Sequence, residues 1–418
     1  MLIGSKQVSL LMALLIIVLF PSLTLAVIGP ALSGMTGSAN DATSSFFSPA
    51  GITRLEQSEF VFQNIFTLSD TKFNVDDATH DGGDSKSAQT FAVIPGFFYT
   101  RPSKYNDRLH YGAALNVPSG IGHDYGSNWA GRYAERRNTL AFVSLSGVVA
   151  YELTDQLSVA AGPYLMYVDE KITASINNYH EDHPDYSDGR VKLEESGADV
   201  GVMLGAMYQF TEATRIALTY RSELKPDLDG TPSFKNLSPI RRAELAALDL
   251  LGTEIDVDFT VPQQLQIGVY SDLTDRLAMT ADLIWIDMSE FGVTHIDIES
   301  YGADHQSQFE DMYTFTAGLE YKYAKDRSVS VGALYANAAT KKSERHLGMP
   351  LDRIIGGGVG LSMPISGYLC HFNLNYFDLG KADMGHDGGD WAGGVGSFEG
   401  SFDRNFSVMF DIQIRKLL

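Results

Sequence analysis

Beyond residue 57 the chain breaks into fourteen short segments that alternate polar with apolar residues, and the links between them come in two lengths. Six links are tight, around Pro102–Asp107, Thr154–Asp155, Thr211–Ala213, Thr274–Asp275, Ala324–Arg327 and Ile365–Gly367. Seven are long, around Asp77–Lys86, Ser119–Tyr133, Asn177–Val191, Thr231–Gly252, Asp297–Glu310, Thr340–Leu351 and Gly385–Ser397. Period-two alternation sends successive side chains to opposite faces of a strand. Tight turns on one side and long loops on the other match a closed antiparallel barrel in a bacterial outer membrane. The expected fold class is all-β, a 14-stranded antiparallel transmembrane β-barrel. An even strand count places both chain ends on the tight-turn, periplasmic side of a Gram-negative outer membrane.

Two segments illustrate the pattern. Tyr313, Phe315, Ala317, Leu319, Tyr321 and Tyr323 share one face, and Thr314, Thr316, Gly318, Glu320 and Lys322 share the other. Phe406, Val408, Phe410, Ile412 and Ile414 alternate in the same way with Ser407, Met409, Asp411, Gln413 and Arg415. Alternation alone also suits a half-buried sheet in water. Repeated fourteen times with asymmetric links, it points to a lipid-facing wall.

Some segments depart from the simple rule of apolar outside and polar inside. If Val202, Leu204, Ala206 and Tyr208 face lipid, Met203 and Met207 face the lumen. The same reasoning turns Tyr164, Met166 and Val168 inward, with Ile284, Ile286 and Met288 beside Asp282, and Met409 between Ser407 and Asp411. Flexible methionines suit an irregular apolar ligand. They equally suit packing beneath an internal plug, and the two readings are compatible.

The ends and the composition bound the rest. Residues 1–26 read as a secretory signal, with Lys6, an apolar core at Leu10–Phe20 and small residues ending at Ala26. An uncleaved anchor helix is the alternative. The formal charge of −21, much of it in the long loops, excludes the basic footprint that nucleic acid requires. Such loops are either solvated or bridged by divalent cations to outer-membrane lipid and lipopolysaccharide. The single cysteine, Cys370, excludes an internal disulfide and reads as packing. A Gly-x-Ser-x-Gly elbow, a phosphate loop and a His-Glu-x-x-His pair are all absent, so no enzyme is expected and no cofactor is implied.

Val27–Gln57 lacks alternation and is rich in Gly, Ala, Ser and Thr, which suits compact packing inside a lumen. Gly34–Ala42, followed by Phe47-Ser48-Pro49-Ala50-Gly51-Ile52, resembles the N-terminal hatch of FadL-type outer-membrane transporters of long-chain fatty acids and hydrocarbons. Asn128-Trp129-Ala130-Gly131-Arg132-Tyr133, Thr214–Ser222, Val261-Pro262-Gln263 and Ala281–Trp285 resemble further elements of that family in the same order. The likeness spans nearly the whole chain. It implies a barrel (58–418) plugged by a hatch (27–57), with capture of an apolar solute at the outer loops. Transfer to a pocket near the hatch and lateral exit beside a kink in the third strand would follow. The hatch motif would be Ser48, Pro49 and Ala50, with Ser48 standing where the family has Asn. Gly112 and Pro118, the strand breakers of the third segment, are the expected kink.

The expected substrate pocket comprises Tyr164, Met166, Met203, Met207, Ile284, Ile286 and Met409. Arg132, Arg215 and Arg221 are possible partners for a substrate carboxylate. Ser238–Gly252 reads as a short helix capped by Ser238, with Pro239 in its first turn. Ile240, Ala243, Ala247 and Leu251 would form its apolar stripe, either the wall of an outer groove or a packed lid. His80-Asp81-Gly82-Gly83-Asp84 recurs as His386-Asp387-Gly388-Gly389-Asp390, so Asp81, Asp84, Asp387 and Asp390 are a possible Ca²⁺ site or a chance repeat. His180 and His183 have a metal-like interval without a third ligand. The expected function is passive, selective uptake of hydrophobic small molecules by a monomer. A plugged general or small-solute porin, or a structural or adhesive surface protein, are the alternatives.

Overall fold

The computed structural model describes residues 30–418 apart from 87, 180–181, 183–184, 248–249, 299–300, 305–308, 341–344, 346 and 387–395. The signal segment, His180, His183, Asp387 and Asp390 lie outside the described residues.

Fourteen strands form the wall: β1 (Glu59–Ala78), β2 (Ala88–Pro102), β3 (Leu109–Asp124), β4 (Arg137–Glu152), β5 (Leu157–Ile176), β6 (Gly189–Gln209), β7 (Thr214–Arg221), β8 (Gln264–Asp272), β9 (Leu277–Ile286), β10 (Met312–Ala324), β11 (Arg327–Ala336), β12 (Ile354–Ile365), β13 (Tyr368–Asp378) and β14 (Phe398–Leu417). Each pairs antiparallel with the next. The ring closes where β1 meets β14, from Glu59↔Leu417 to Ala78↔Phe398. The closed antiparallel barrel foreseen from the links is the fold. Closure pairs both edges of the sheet, the condition for a sheet to cross lipid, and leaves one stretch between β2 and β3 without a ladder.

Among the described residues six further strand pieces, including Asp227–Gly230, Ile255–Thr260, Gly292–Ile298 and Asp383–His386, lie on the long-loop side of the wall. Breaks such as Val261-Pro262-Gln263 separate them from the wall, because proline cannot donate to a ladder.

The outward faces carry exposed Val, Leu, Ile and Phe between two levels of tyrosine. Tyr151, Tyr208, Tyr321 and Tyr323 lie toward the tight turns, and Tyr167, Tyr313, Tyr335 and Tyr376 toward the long loops. Aromatic rings settle at both water interfaces of a bilayer. Beyond Tyr167 the outward residues of β5 turn polar, at Asp169, Lys171 and Thr173, so that end stands above the membrane.

The lumen is filled. Residues 31–55 are mostly buried against the inner wall, in short helical turns at Pro30–Leu32, Ser44–Phe47 and Pro49–Arg54. Glycines on the wall make room for this plug. A Cβ at Gly205 would lie 2.7 Å from Pro49 Cγ and 2.9 Å from the Ala50 nitrogen. Gly318 and Gly332 are pressed in the same way against Ser33 and the Ala31 carbonyl. A second apolar cluster, with Phe73, Tyr125, Trp129, Phe398 and Phe402, packs beneath the long loops.

Candidate functional site: a plugged lumen beside an unpaired seam

Ionic side chains on the wall hold the plug. The Asp282 carboxylate of β9 accepts the Gly34 N–H at 2.6 Å, the Thr36 N–H at 3.2 Å and the Thr316 hydroxyl at 3.1 Å. The Arg215 guanidinium donates to the Gly37 carbonyl at 2.9 Å, to Asn40 Oδ1 at 3.0 Å and to the Ser38 carbonyl, and it stacks 3.8 Å from the Tyr270 ring. Arg221 donates to the Phe46 carbonyl and to Gln264 Oε1, each at 2.8 Å, and lies over the Phe46 ring. Backbone groups that leave water must find partners, and here the wall supplies them.

Among the described residues two apolar cavities lie beside the plug. One, of about 80 Å³, is lined by Phe46, Phe142, Tyr164, Met166, Arg221 and Ile286, with Pro118 and Ser119 at its edge. The other, of about 20 Å³, lies among Met35, Ile284, Leu334, Phe377 and Met409. The seven expected pocket residues all sit on the inner face, but the structure divides them. Tyr164, Met166 and Ile286 share the larger cavity, and Ile284 and Met409 the smaller. Met203 and Met207 line neither; both are buried, and the Met207 methyl faces Gly51 of the plug. A third cavity, of about 90 Å³, opens toward the tight turns among polar groups such as Asp41, Glu320, His371 and Arg415.

The wall beside the larger cavity is incomplete. The β2–β3 ladder runs from Pro102↔His110 to Gly96↔Asn116 and stops. Over residues 88–95, β2 pairs with β1, and beyond Ser119, β3 pairs with β4. The β3–β4 register shifts between Asn116 and Ser119, so the irregularity sits at Val117-Pro118. Pro118 therefore stands at this register shift. Gly112 lies within the regular ladder, where its missing Cβ admits Ser45 and Ile52 of the plug. Across the unpaired seam the Thr90 hydroxyl donates to the Gly122 carbonyl at 2.8 Å. At its outer end the Lys86 N–H meets the Tyr125 carbonyl at 3.1 Å, and Lys86 pairs with Asp124 at 2.9 Å. Phe91 and Val93 are exposed on the lipid side.

Above the cavity the inner face carries three buried carboxyls, Glu135, Glu170 and Glu195. Burial pushes Glu135 and Glu195 up to about 8, and burial beside both of them raises Glu170 well above the carboxylate range. Burial alone lowers His123 to about 4.

Other expected positions resolve differently. Arg132 lies in the loop between β3 and β4, paired with Asp188 at 2.8 Å and bonded to the Asp81 and Trp129 carbonyls and to Tyr133. It clasps the outer loops and does not reach the lumen. The loop helix α1 (Pro239–Ala247) is capped by Ser238, whose Oγ accepts the Arg241 N–H at 3.2 Å. Its buried face is Arg241 and Leu245, while Ala243 and Ala247 are exposed and Ile240 and Leu251 half-buried. The expected stripe is thus rotated, because the Arg241 Nε reaches inward to the Asn177 carbonyl. Asp84 pairs with Lys72 at 3.0 Å and accepts the Val75 N–H, while Asp81 is exposed. Among the described residues no acidic, histidine or cysteine groups converge as a metal site. In the hatch motif Pro49 and Ala50 pack on Gly205, while Ser48 Oγ is buried without a hydrogen-bond partner. Sequence reading missed Phe46, Phe142, Gln266 and Thr90. The available signal for Asp282 as a plug anchor was a lone carboxylate on an otherwise apolar inner face.

Comparison with known proteins places this architecture. Residues 19–363 match the family model for the outer membrane protein transport protein (OMPP1/FadL/TodX). Outer membrane protein P1 of Haemophilus influenzae is 23% identical over 356 residues, covering 75% of each chain. A long-chain fatty acid transport protein of Escherichia coli O6:H1 is 23% identical over 357 residues, covering 77% of this chain and 78% of its own. The crystal structure of a Pseudomonas aeruginosa FadL homologue superposes with a TM-score of 0.81 at 17% identity, covering 95% of this chain and 99% of the other. The barrel is thus an outer-membrane protein whose relatives are transport channels rather than enzymes, and the chain belongs to the OMPP1/FadL/TodX family of outer membrane transport proteins.

Proposed function

We propose that this chain is a passive, selective channel that carries hydrophobic molecules, long-chain fatty acids or hydrocarbons, across the outer membrane and releases them sideways. Residues 27–57 act as its hatch, residues 1–26 as the signal that exports it, and both ends of the mature monomer face the periplasm. Solute lands among the outer loops, passes to the apolar cavity under Phe142, and leaves between β2 and β3. The observation that carries this reading is the unpaired seam, because Pro118 and Ser119 border both the seam and the cavity. The plug blocks a straight aqueous path, whereas the seam opens onto exposed Phe91 and Val93 at bilayer level. An apolar solute moving that way never enters water, which suits the free energy of apolar transfer.

The test is a reversible staple. Continuing the β2–β3 count sets Ala92 opposite Gly120, within the unpaired stretch. Ala92→Cys with Gly120→Cys, in a Cys370→Ser background, should abolish uptake of a labelled fatty acid or alkylbenzene when oxidised and regain it on reduction. Uptake of a sugar should be the same in both states. An oxidised, fully cross-linked barrel that still transports the hydrophobic solute would rule out sideways release.

A further inference from the structure

The outward faces of β4, β5 and β6 stay in register beyond the tyrosine level and form one continuous panel. Leu145, Leu165 and Val200 make an exposed apolar row, and Val143, Tyr167 and Ala198 the next. Two rows higher stand Thr139, Lys171 and Glu194, and above them Arg137, Thr173 and Lys192. Lys192 and Arg190 then pair sideways with Ser233 and Lys235. The alternating neighbours Asn138, Ile172, Val191 and Leu193 are buried, so these cations point away from the lumen. With about 3.3 Å per residue and a tilt of roughly 40°, Lys171 stands roughly 10 Å above Tyr167 and Arg137 roughly 15 Å.

The panel is basic in a chain whose formal charge is −21. Asp169 pairs with Lys171 and Glu194 with Lys192, but among the described residues no carboxylate pairs with Arg137, Arg190 or Lys235. Asp188, two residues before Arg190, is taken by Arg132. Arg190 and Lys235 lie directly opposite each other across the ladder, where like charges destabilise a sheet. Burial first, and the Arg190 charge next, lower the Arg136 guanidinium just before β4. The acids that act against this, Asp124 and Asp188, already pair with Lys86 and Arg132. Cations crowded at a cost to the fold call for an anion from outside. The patch is also bounded, since farther along the same rim exposed Asp229 and Asp256 face each other.

We propose that this panel docks one molecule of lipopolysaccharide, with Arg137, Arg190, Lys192 and Lys235 holding the phosphates and acid sugars of its head. An amphiphile lying against the wall meets apolar side chains, then Tyr167, then cations, which is the order of its own acyl chains and anionic head. Arginine forks match phosphate oxygens in pairs. The contact is direct and needs no divalent bridge to the acidic loops. The proposal rests on the orientation given above, in which the long loops lie outside the cell.

The experiment measures binding to the purified full-length barrel in nonionic detergent. The probes are rough lipopolysaccharide, the same material after dephosphorylation, and phosphatidylglycerol. Wild type should prefer the intact lipopolysaccharide, keep it in EDTA and lose it steeply as salt rises. Arg137→Gln/Arg190→Gln/Lys235→Gln should bind it roughly tenfold or more weakly, the scale of one charge-assisted hydrogen bond. Arg137→Lys/Arg190→Lys should keep most of the affinity, which separates lost charge from a disturbed wall. Asp229→Asn/Asp256→Asn should leave it undiminished. Undiminished binding by the glutamine variant overturns the assignment, and so does a lysine variant that loses as much. Binding abolished by EDTA, or matched by phosphatidylglycerol, overturns it as well. Orientation has its own readout: Ser127→Cys, in a Cys370→Ser background, should react with a membrane-impermeant maleimide on intact cells. Failure of that labelling would overturn the orientation and, with it, the choice of this lipid.

Discussion

Glu59 and Arg415 meet at 2.6 Å where the first and last strands of the barrel close on each other. Glu59 is 1% exposed, so its partner is the main thing that compensates its burial. Removing one member of a buried pair strands the other and costs about 3–5 kcal/mol, whereas removing both costs much less. Arg415→Met should therefore lower the urea midpoint of the folded barrel strongly. The double variant Glu59→Leu/Arg415→Met should recover most of the loss. Additive losses in that cycle would show that the pair does not couple the closing strands.

Two of the three hydrogen bonds at Asp282 tie Gly34 and Thr36 of the plug to the wall, and the third comes from Thr316 of the wall itself. In Asp282→Ala, two plug N–H groups and one wall hydroxyl lose their acceptor, each at about 1–3 kcal/mol. The barrel should still assemble, since the ladders flanking β9 are untouched. What should change is the seal. Ion conductance across a planar bilayer should rise well above that of the wild type, and unchanged conductance would mean the remaining anchors hold the plug alone.

The buried acids Glu135, Glu170 and Glu195 give the outer part of the barrel a pH response. A carboxyl whose folded value lies above its unfolded value of 4.5 binds its proton more tightly in the native state. Their contribution is complete below about pH 4.5 and is lost as pH rises toward 8. His123 acts in the opposite sense: held near 4, it withdraws stability as pH falls below 6.5. Amide protection of residues 125–136 should accordingly fall between pH 6 and 8, on the order of a few kcal/mol in opening free energy. Glu170→Gln should flatten that slope. A slope unchanged by the substitution would place the response elsewhere.

Much of the wall was legible because a strand buried on one face writes its geometry into every second residue. The inward turn of Met203, Met207, Ile284 and Met409 followed from that period alone, and so did the six tight turns. What the period does not encode is what lies opposite an inward side chain. Met203 and Tyr164 look alike in sequence, yet one is covered and the other lines a cavity. Arg215 and Arg221 likewise share a strand face and both bond the plug, and only packing shows that Arg221 is the one of the two that lines the larger apolar cavity. The loop helix shows the reverse failure. Its apolar residues suggested one inner stripe, but an arginine with a carbonyl to reach rotated the buried face to Arg241 and Leu245. The seam was half visible: Pro118 marked the break in β3, whereas the end of the ladder at Gly96↔Asn116 depends on two strands at once.

That seam also governs how the barrel bears load. In a closed sheet, tension around the circumference passes from strand to strand through the ladders. Between β2 and β3 it passes through a full ladder only below Gly96↔Asn116, and above that through Thr90–Gly122 and the Lys86 contacts. The upper half therefore behaves as a split collar on a rigid lower ring. Three contacts span a stretch that a regular antiparallel ladder would hold with closely spaced pairs of hydrogen bonds.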